Sequence, residues 1–368
     1  MDGWSYVARA FSALLAGDPH AARHLSYYAQ LRAGMSMLAN LGIGIFNGIN
    51  YAIKADGSTQ RIDTPGNGVK ALGMGTHDIV WKALKAWSGN TTAARVFLDL
   101  VKVRGSSLRD CVEAIWPGAS MLAAAGLLVE SWGLDLKRGG EEHVDRNVSS
   151  YNPHSLNHIQ TTPAESLGFV SSSWKLFEPS SSSSFDRLDK FLLRSVMQGQ
   201  HRALYGHSRY GEGAINAHYE RLPDLVKDLA SKRFLLGQAE PKNPELIRRA
   251  RQRSSPAQPT EMLARALLLL RAATAFTHAS FVESGIDSLA GEMRPWLDSV
   301  ASERGFWAPS RPLAEPSDLW ADIELALMDF DASMTPEPTS WNDWMLKDAK
   351  GLPVMTEAER IGVWSLSA

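Results

Sequence analysis

The run Glu141-Glu142-His143-Val144-Asp145-Arg146-Asn147, followed by Ser149 and Ser150 and then by His154 and His158, gathers groups that can hold charge or move protons. A guanidinium can hold a scissile phosphate while an imidazole handles the proton of a ribose 2′-hydroxyl, which is the chemistry of a metal-independent ribonuclease. Arg146 and His154 are the candidates for those two roles, with Asn147 orienting the site. His154 and His158 also stand four residues apart, the spacing of two metal ligands on one helical face, with His143, Glu141 or Asp145 available as a third. Neither a cysteine pair nor the glutamate-containing metalloprotease motif accompanies them, so no metal and no other cofactor is expected. The structural alternative has Asn152 capping a short helix from Pro153, and Arg146 pairing with Glu142 or Asp145 to brace a long polar connection from Lys137 to Pro163.

The elements that must position this segment are helical. Leu25, Tyr28, Leu31, Met35 and Leu38 recur every three or four residues between Pro19 and Asn40, which predicts an amphipathic helix there. Ile43, Ile45, Ile49, Tyr51 and Ile53 then alternate around Asn47-Gly48, which predicts one small β-hairpin over residues 43–53. A helix with Val80, Trp81, Leu84 and Trp87 on one face follows. Thr162, Pro163 and Glu165 supply a threonine cap, a first-position proline and a first-turn carboxylate for the next block. Helices are expected there over Pro163 to Phe177, Phe185 to Tyr205, Ile215 to Leu235, Pro244 to Arg253, Thr260 to Glu283 and Ile286 to Ala301, with a short one over Asp318 to Met328. The fold class is therefore mainly α, a multi-helix bundle with one small hairpin. We divide it into an N-terminal helical domain (1–160), a second helical domain (161–307) and a proline-rich acidic C-terminal segment (308–368).

Composition narrows the function classes. With 44% hydrophobic and 21% charged residues and a formal charge of −2, the chain has globular composition and no polyanion-binding tail. The single cysteine, Cys111, reads as a core thiol, and its isolation points to a reducing compartment. The opening Met1-Asp2-Gly3-Trp4 has no basic region before an apolar core, and no apolar run approaches the roughly 20 residues of a membrane span. A cytoplasmic protein without membrane contact is expected. Gly66 to Lys70 lacks the spacing and final hydroxyl of a phosphate-binding loop, so no ATPase is expected within this chain.

Charge is uneven along the sequence. Arg248, Arg249, Arg251 and Arg253 form a basic cluster that can bind RNA or DNA backbone, whereas Glu315 to Asp343 carries only acidic charges and can clasp that cluster internally. Trp307, Trp341 and Trp344 lie among the prolines of the C-terminal segment, where they either fold back or dock onto another subunit.

The Arg146-Asn147 pair with His154 downstream, the long opening helix bearing Tyr27-Tyr28 and the dominance of helices together resemble the HEPN superfamily of nucleotide-binding helical proteins. Seven residues, Pro153 among them, separate Arg146 from His154, a longer spacing than the family pattern. The resemblance implies a setting in bacterial antiviral or anti-plasmid defence. The function expected from it is a non-enzymatic accessory subunit of a multi-protein assembly, with an SMC-like ATPase or a nuclease as partner. The alternatives are a metal-independent HEPN ribonuclease using Arg146 and His154, and a metal-dependent hydrolase using His154 and His158.

Overall fold

The computed structural model describes residues 1–46, 49–62, 75–118, 120–131, 138–151, 159, 161–180, 185–206, 212–240, 242–287, 291–333, 340–341 and 351–367. In chain order its helices are α1 (Asp2–Leu15), α2 (Pro19–Asn40), α3 (Thr76–Ser88), α4 (Thr91–Leu100), α5 (Leu108–Ile115), α6 (Met121–Ser131), α7 (Arg138–Tyr151), α8 (Pro163–Leu176), α9 (Asp186–Tyr205), α10 (Glu212–Tyr219), α11 (Asp224–Leu229), α12 (Lys232–Leu235), α13 (Glu245–Arg251), α14 (Pro259–Glu283), α15 (Arg294–Glu303), α16 (Trp320–Ser333), α17 (Leu352–Thr356) and α18 (Glu359–Ser367). The fold is mainly α, as its periodicity requires. The expected hairpin is present as β1 (Ile43–Phe46) and β2 (Ile49–Ile53), antiparallel with Phe46 opposite Ile49, and β3 (Thr59–Arg61) extends it to three strands. A second two-stranded pair joins β4 (Lys102–Val103) to β5 (Ser106–Ser107). None of the described helices is long and apolar enough to cross a membrane.

Local chemistry sets the helix starts. Asp18 accepts from Ala21 N (2.9 Å) with Pro19 at the first helical position of α2, and Thr162 and Glu165 form a reciprocal capping box at α8. Ser107 and Asp110 do the same at α5. The long helix expected over Ile215 to Leu235 is instead three short ones: Pro223, without an N–H, precedes α11, and Ser231 caps a new start at α12 by accepting from Phe234 N (3.3 Å). The helix expected from Ile286 begins at Arg294, with Pro295 in its first turn.

The core is built around α2 and α14. From Pro259 to Ala273, α14 is buried on every face, which a helix tolerates only when neighbours surround it. Gln30 meets α14 at Met262 O, whereas Asn40 meets it at Thr277 and Ser280, so the two helices run in the same direction. Trp4 of α1 donates to Thr274 Oγ1 (3.3 Å), and the Cβ position of Gly3 lies against Leu270. The C-terminal segment closes on the same core: Trp364 of α18 is buried against Trp174, and the Trp174 indole donates to Met355 O (2.8 Å). Helices from all three expected divisions contribute to one apolar interior.

The largest departure from expectation is α7. Residues 138–151 form a 14-residue helix where a polar connection was expected. Its inward face is polar, with Glu142, Arg146 and Ser149 all buried. That face packs on α2 and meets α14. Glu142 Oε2 accepts from Gln30 Nε2 (2.8 Å), while its Oε1 lies 2.5 Å from Arg265 Nη2. Arg23 donates to Ser149 Oγ (2.7 Å) and pairs with Asp145 (3.5 Å). Asp145 also accepts from Ala257 N (3.0 Å), tying α7 to the segment between α13 and α14. Hydrophobic periodicity is blind to a helix that buries charge pairs in place of apolar side chains.

Removing one member of a buried pair leaves the other charge uncompensated, so Glu142→Ala should lower unfolding free energy by about 3–5 kcal/mol. Urea denaturation measures this. A double variant, Glu142→Leu with Arg265→Met, should recover much of the loss.

Candidate functional site

The pairing just described decides the environment of Arg146. Glu142 is taken by Arg265 and Gln30, and Asp145 by Arg23 and Ala257 N. The expected brace from Arg146 to one of these carboxylates is therefore absent among the described residues. The guanidinium instead lies over two rings, 5.5 Å from the Tyr27 centroid and 5.3 Å from that of Tyr28. Arg146 is only 6% exposed, and its Nε has no hydrogen-bond partner among the described residues. A buried cation held by ring faces and without a carboxylate of its own has the charge and donors to accept an anion.

Imidazoles surround it. His77 of α3 and His143 of α7 stack with centroids 4.6 Å apart and 9° between their planes. Tyr27 stacks on both, at 5.5 and 5.6 Å. His24 lies 5.0 Å from Tyr28, and its Nδ1 is 2.6 Å from Ser150 Oγ, whose hydroxyl donates to Arg146 O. Tyr6 of α1 stacks on Tyr28 at 5.3 Å. These rings are half-buried, apart from Tyr27, which is fully enclosed. Helical spacing explains the convergence: His24, Tyr27 and Tyr28 share a face of α2, while His143 and Arg146 share a face of α7.

The cluster also fixes protons. Trp81 Nε1 donates to Tyr27 Oη (3.2 Å), which also shares a hydrogen bond with His77 Nδ1 (2.9 Å). Where Tyr27 is the donor of that bond, neutral His77 carries its hydrogen on Nε2. Burial, followed by His143 and Arg146, lowers His77 to a pKa of about 4. Burial and then Arg146 also lower His143 and His24. Burial raises Tyr27 to about 12. At neutral pH the site is one permanent cation among neutral rings. Approach of α7 to α3 depends on Gly139, whose Cβ position would lie 2.1 Å from the Trp81 ring.

The other residues singled out in the sequence are distributed differently. Asn147 is half-buried beside Arg146 on α7. His154, His158 and the Asn152-Pro153 cap lie outside the described residues, as do Asn47-Gly48, Gly66 to Lys70 and Trp344. Among the described residues no three histidine, cysteine or acidic side chains gather as a metal site. Arg248 and Arg253 are exposed. Arg249 is held by Glu245 (3.0 Å) and Glu165 (3.8 Å), and Arg251 is half-buried. The acidic C-terminal stretch clasps other cations: Asp331 meets Lys175 and Asp322 meets Arg360, both at 2.9 Å. Trp307 turns into the chain's own core at 7% exposed, and Trp341 packs against Gly17. Cys111 is buried, and its thiol is pushed up to about 12 by that burial, as a core thiol should be.

His77 was invisible as a site residue because 65 positions separate it from His143 and no motif links them. The one local signal is its place in the first turn of α3, beside Asp78.

His77 ionises more readily in the unfolded chain, at its ordinary 6.5, than in the fold. Between about 4 and 6.5 the unfolded state binds more protons, so the stability tied to neutral His77 is complete above 6.5 and is lost as pH falls toward 4. The gap in thermal midpoint between wild type and His77→Gln should therefore narrow from pH 7 to pH 5; a constant gap would contradict this environment. Comparison of the chain with protein-family models, with curated proteins and with solved structures finds no match, so the chemistry of the site rests on its own residues.

Proposed function

We propose that this chain is a non-enzymatic helical subunit that binds single-stranded nucleic acid, with Arg146 holding a phosphate and the rings around it receiving neighbouring groups. The observation that carries this reading is the buried Arg146 guanidinium, placed over Tyr27 and Tyr28 and left without a carboxylate. Single strands are bound where a positive groove tracks the backbone and aromatic faces accept bases. Tyr6, Tyr28, His24, His77 and His143 supply half-buried faces around the cation. The basic helix α13 leads into the segment that returns past α7 at Ala257, so Arg248 and Arg253 extend positive charge on an adjoining element.

Among the described rings, His77 and Tyr27 are poorly matched to moving protons near neutrality. A general acid or base works best with a pKa near the operating pH, whereas His77 sits near 4 and Tyr27 near 12. In the setting implied by the HEPN resemblance, the chain would serve a bacterial antiviral or anti-plasmid assembly beside an SMC-like ATPase or a nuclease. Phe46, Ile49 and Ile53 on the outer face of the hairpin, and Leu325 and Met328 on α16, are exposed apolar side chains that a partner subunit would cover. The second reading is a metal-independent ribonuclease using Arg146, Asn147 and His154. It is favoured by the same uncommitted guanidinium, eight positions before His154.

Incubating end-labelled single-stranded RNA with the protein in chelator, followed by native and denaturing gels, separates the two readings. The expected result is a shifted, uncut RNA. Arg146→Ala should weaken binding about tenfold or more and reduce the salt dependence of affinity by roughly one phosphate contact. Cleavage that persists in chelator and is lost in Arg146→Ala would support the ribonuclease, and unchanged affinity in Arg146→Ala would overturn both readings.

A further inference from the structure

We infer that the ligand of this site is a terminal phosphate monoester, taken up together with one proton on the His77–His143 pair. The inference rests on the anion-binding reading of Arg146 and adds the class of phosphate. A diester within a nucleic-acid backbone carries one negative charge, which Arg146 alone balances. A monoester carries close to two above its second pKa of about 6, and the site holds the means to match it. His77 Nδ1 is engaged by Tyr27 Oη, which leaves Nε2 as the ring nitrogen free of a hydrogen bond among the described residues. His143 makes no ion pair or hydrogen bond among the described residues.

The two rings stack 4.6 Å apart, so they accept one proton between them far more readily than two, and they titrate as a pair. In the free protein that proton is disfavoured by burial and by the nearby guanidinium. A phosphate dianion placed among Arg146, His77 and His143 reverses the balance. Every charged or titratable group around the pair fits this accounting. From α2 come His24, Tyr27 and Tyr28, none of them a carboxylate. From α7 come Arg146 itself and the carboxylates Glu142 and Asp145, both engaged elsewhere. From α3 comes Asp78, which is exposed and faces Lys82 at 3.9 Å, and which weakly favours the protonated pair. No uncommitted buried carboxylate competes with the ligand among these residues.

The test measures affinity by fluorescence anisotropy for one short single-stranded oligoribonucleotide prepared with a 5′-phosphate, with a 3′-phosphate and with hydroxyls at both ends, from pH 6.5 to 8. Nucleoside monophosphate serves as competitor. A phosphorylated end should bind about tenfold tighter than the unphosphorylated oligonucleotide, the worth of one charge-assisted hydrogen bond. That preference should weaken with rising pH, approaching tenfold per unit when one proton is taken up. His143→Gln and His77→Gln should lose the preference and the pH slope, with circular dichroism confirming the fold. Competition by nucleoside monophosphate as strong as that of the phosphorylated oligonucleotide would assign a free nucleotide as the source of the monoester; weak competition would assign a strand end. Equal binding of phosphorylated and unphosphorylated oligonucleotides would overturn the monoester while leaving Arg146 as a backbone contact. Failure of every oligonucleotide and of the nucleotide to bind would overturn both.

Discussion

Glu142 is buried at the meeting of three helices, and the rest of the structure follows from how its charge is met. Arg265 from α14 and Gln30 from α2 take both of its oxygens, while Arg23 and Ala257 N occupy Asp145 one turn later. Charges removed from water are tolerated where an opposite charge meets them, and breaking such a pair costs more than the pair contributes. The pairs therefore act less as a source of stability than as a register. They set which residues of α7 face α2, and in doing so they place Arg146 against Tyr27 and Tyr28 rather than against an acid.

This division of partners connects packing to chemistry. Arg23, Gln30 and Arg265 meet the carboxylates Glu142 and Asp145 across the α2–α7–α14 junction, and Arg146 is left with ring faces alone. The imidazoles around it are held neutral by burial and by that same cation. The result is a small positive focus in a weakly polar aromatic setting, where an arriving anion meets no internal competitor. Preorganisation of this kind avoids the ordering cost that a flexible surface arginine would incur on binding.

Much of the scaffold was legible from side-chain spacing. α2, α8 and α14 carry apolar periodicity with caps or first-position prolines, and β1–β2 shows clean alternation. α7 escaped because its buried positions are Glu142, Arg146 and Ser149, which score as surface in any hydrophobic pattern. Arg146 stands out in the sequence by its type, but the alternative pairing with its own helix neighbours Glu142 or Asp145 is not formed. Only three-dimensional packing shows that Arg23 and Arg265, more than 100 positions away on either side, have already claimed them. His77 was missed for the same reason. Likewise Trp307 and Trp341, set among prolines in the sequence, find their contacts within the fold through pairings that local spacing does not encode.

The central claim is that Glu142 belongs to Arg265 and leaves Arg146 open. Two double-mutant cycles on unfolding free energy test it most directly, pairing Glu142→Ala with Arg265→Met in one and with Arg146→Met in the other. The account predicts a coupling above about 1 kcal/mol between Glu142 and Arg265 and one within about 0.5 kcal/mol between Glu142 and Arg146. A large Glu142–Arg146 coupling with little coupling to Arg265 would contradict it, making Arg146 a structural brace and closing the site.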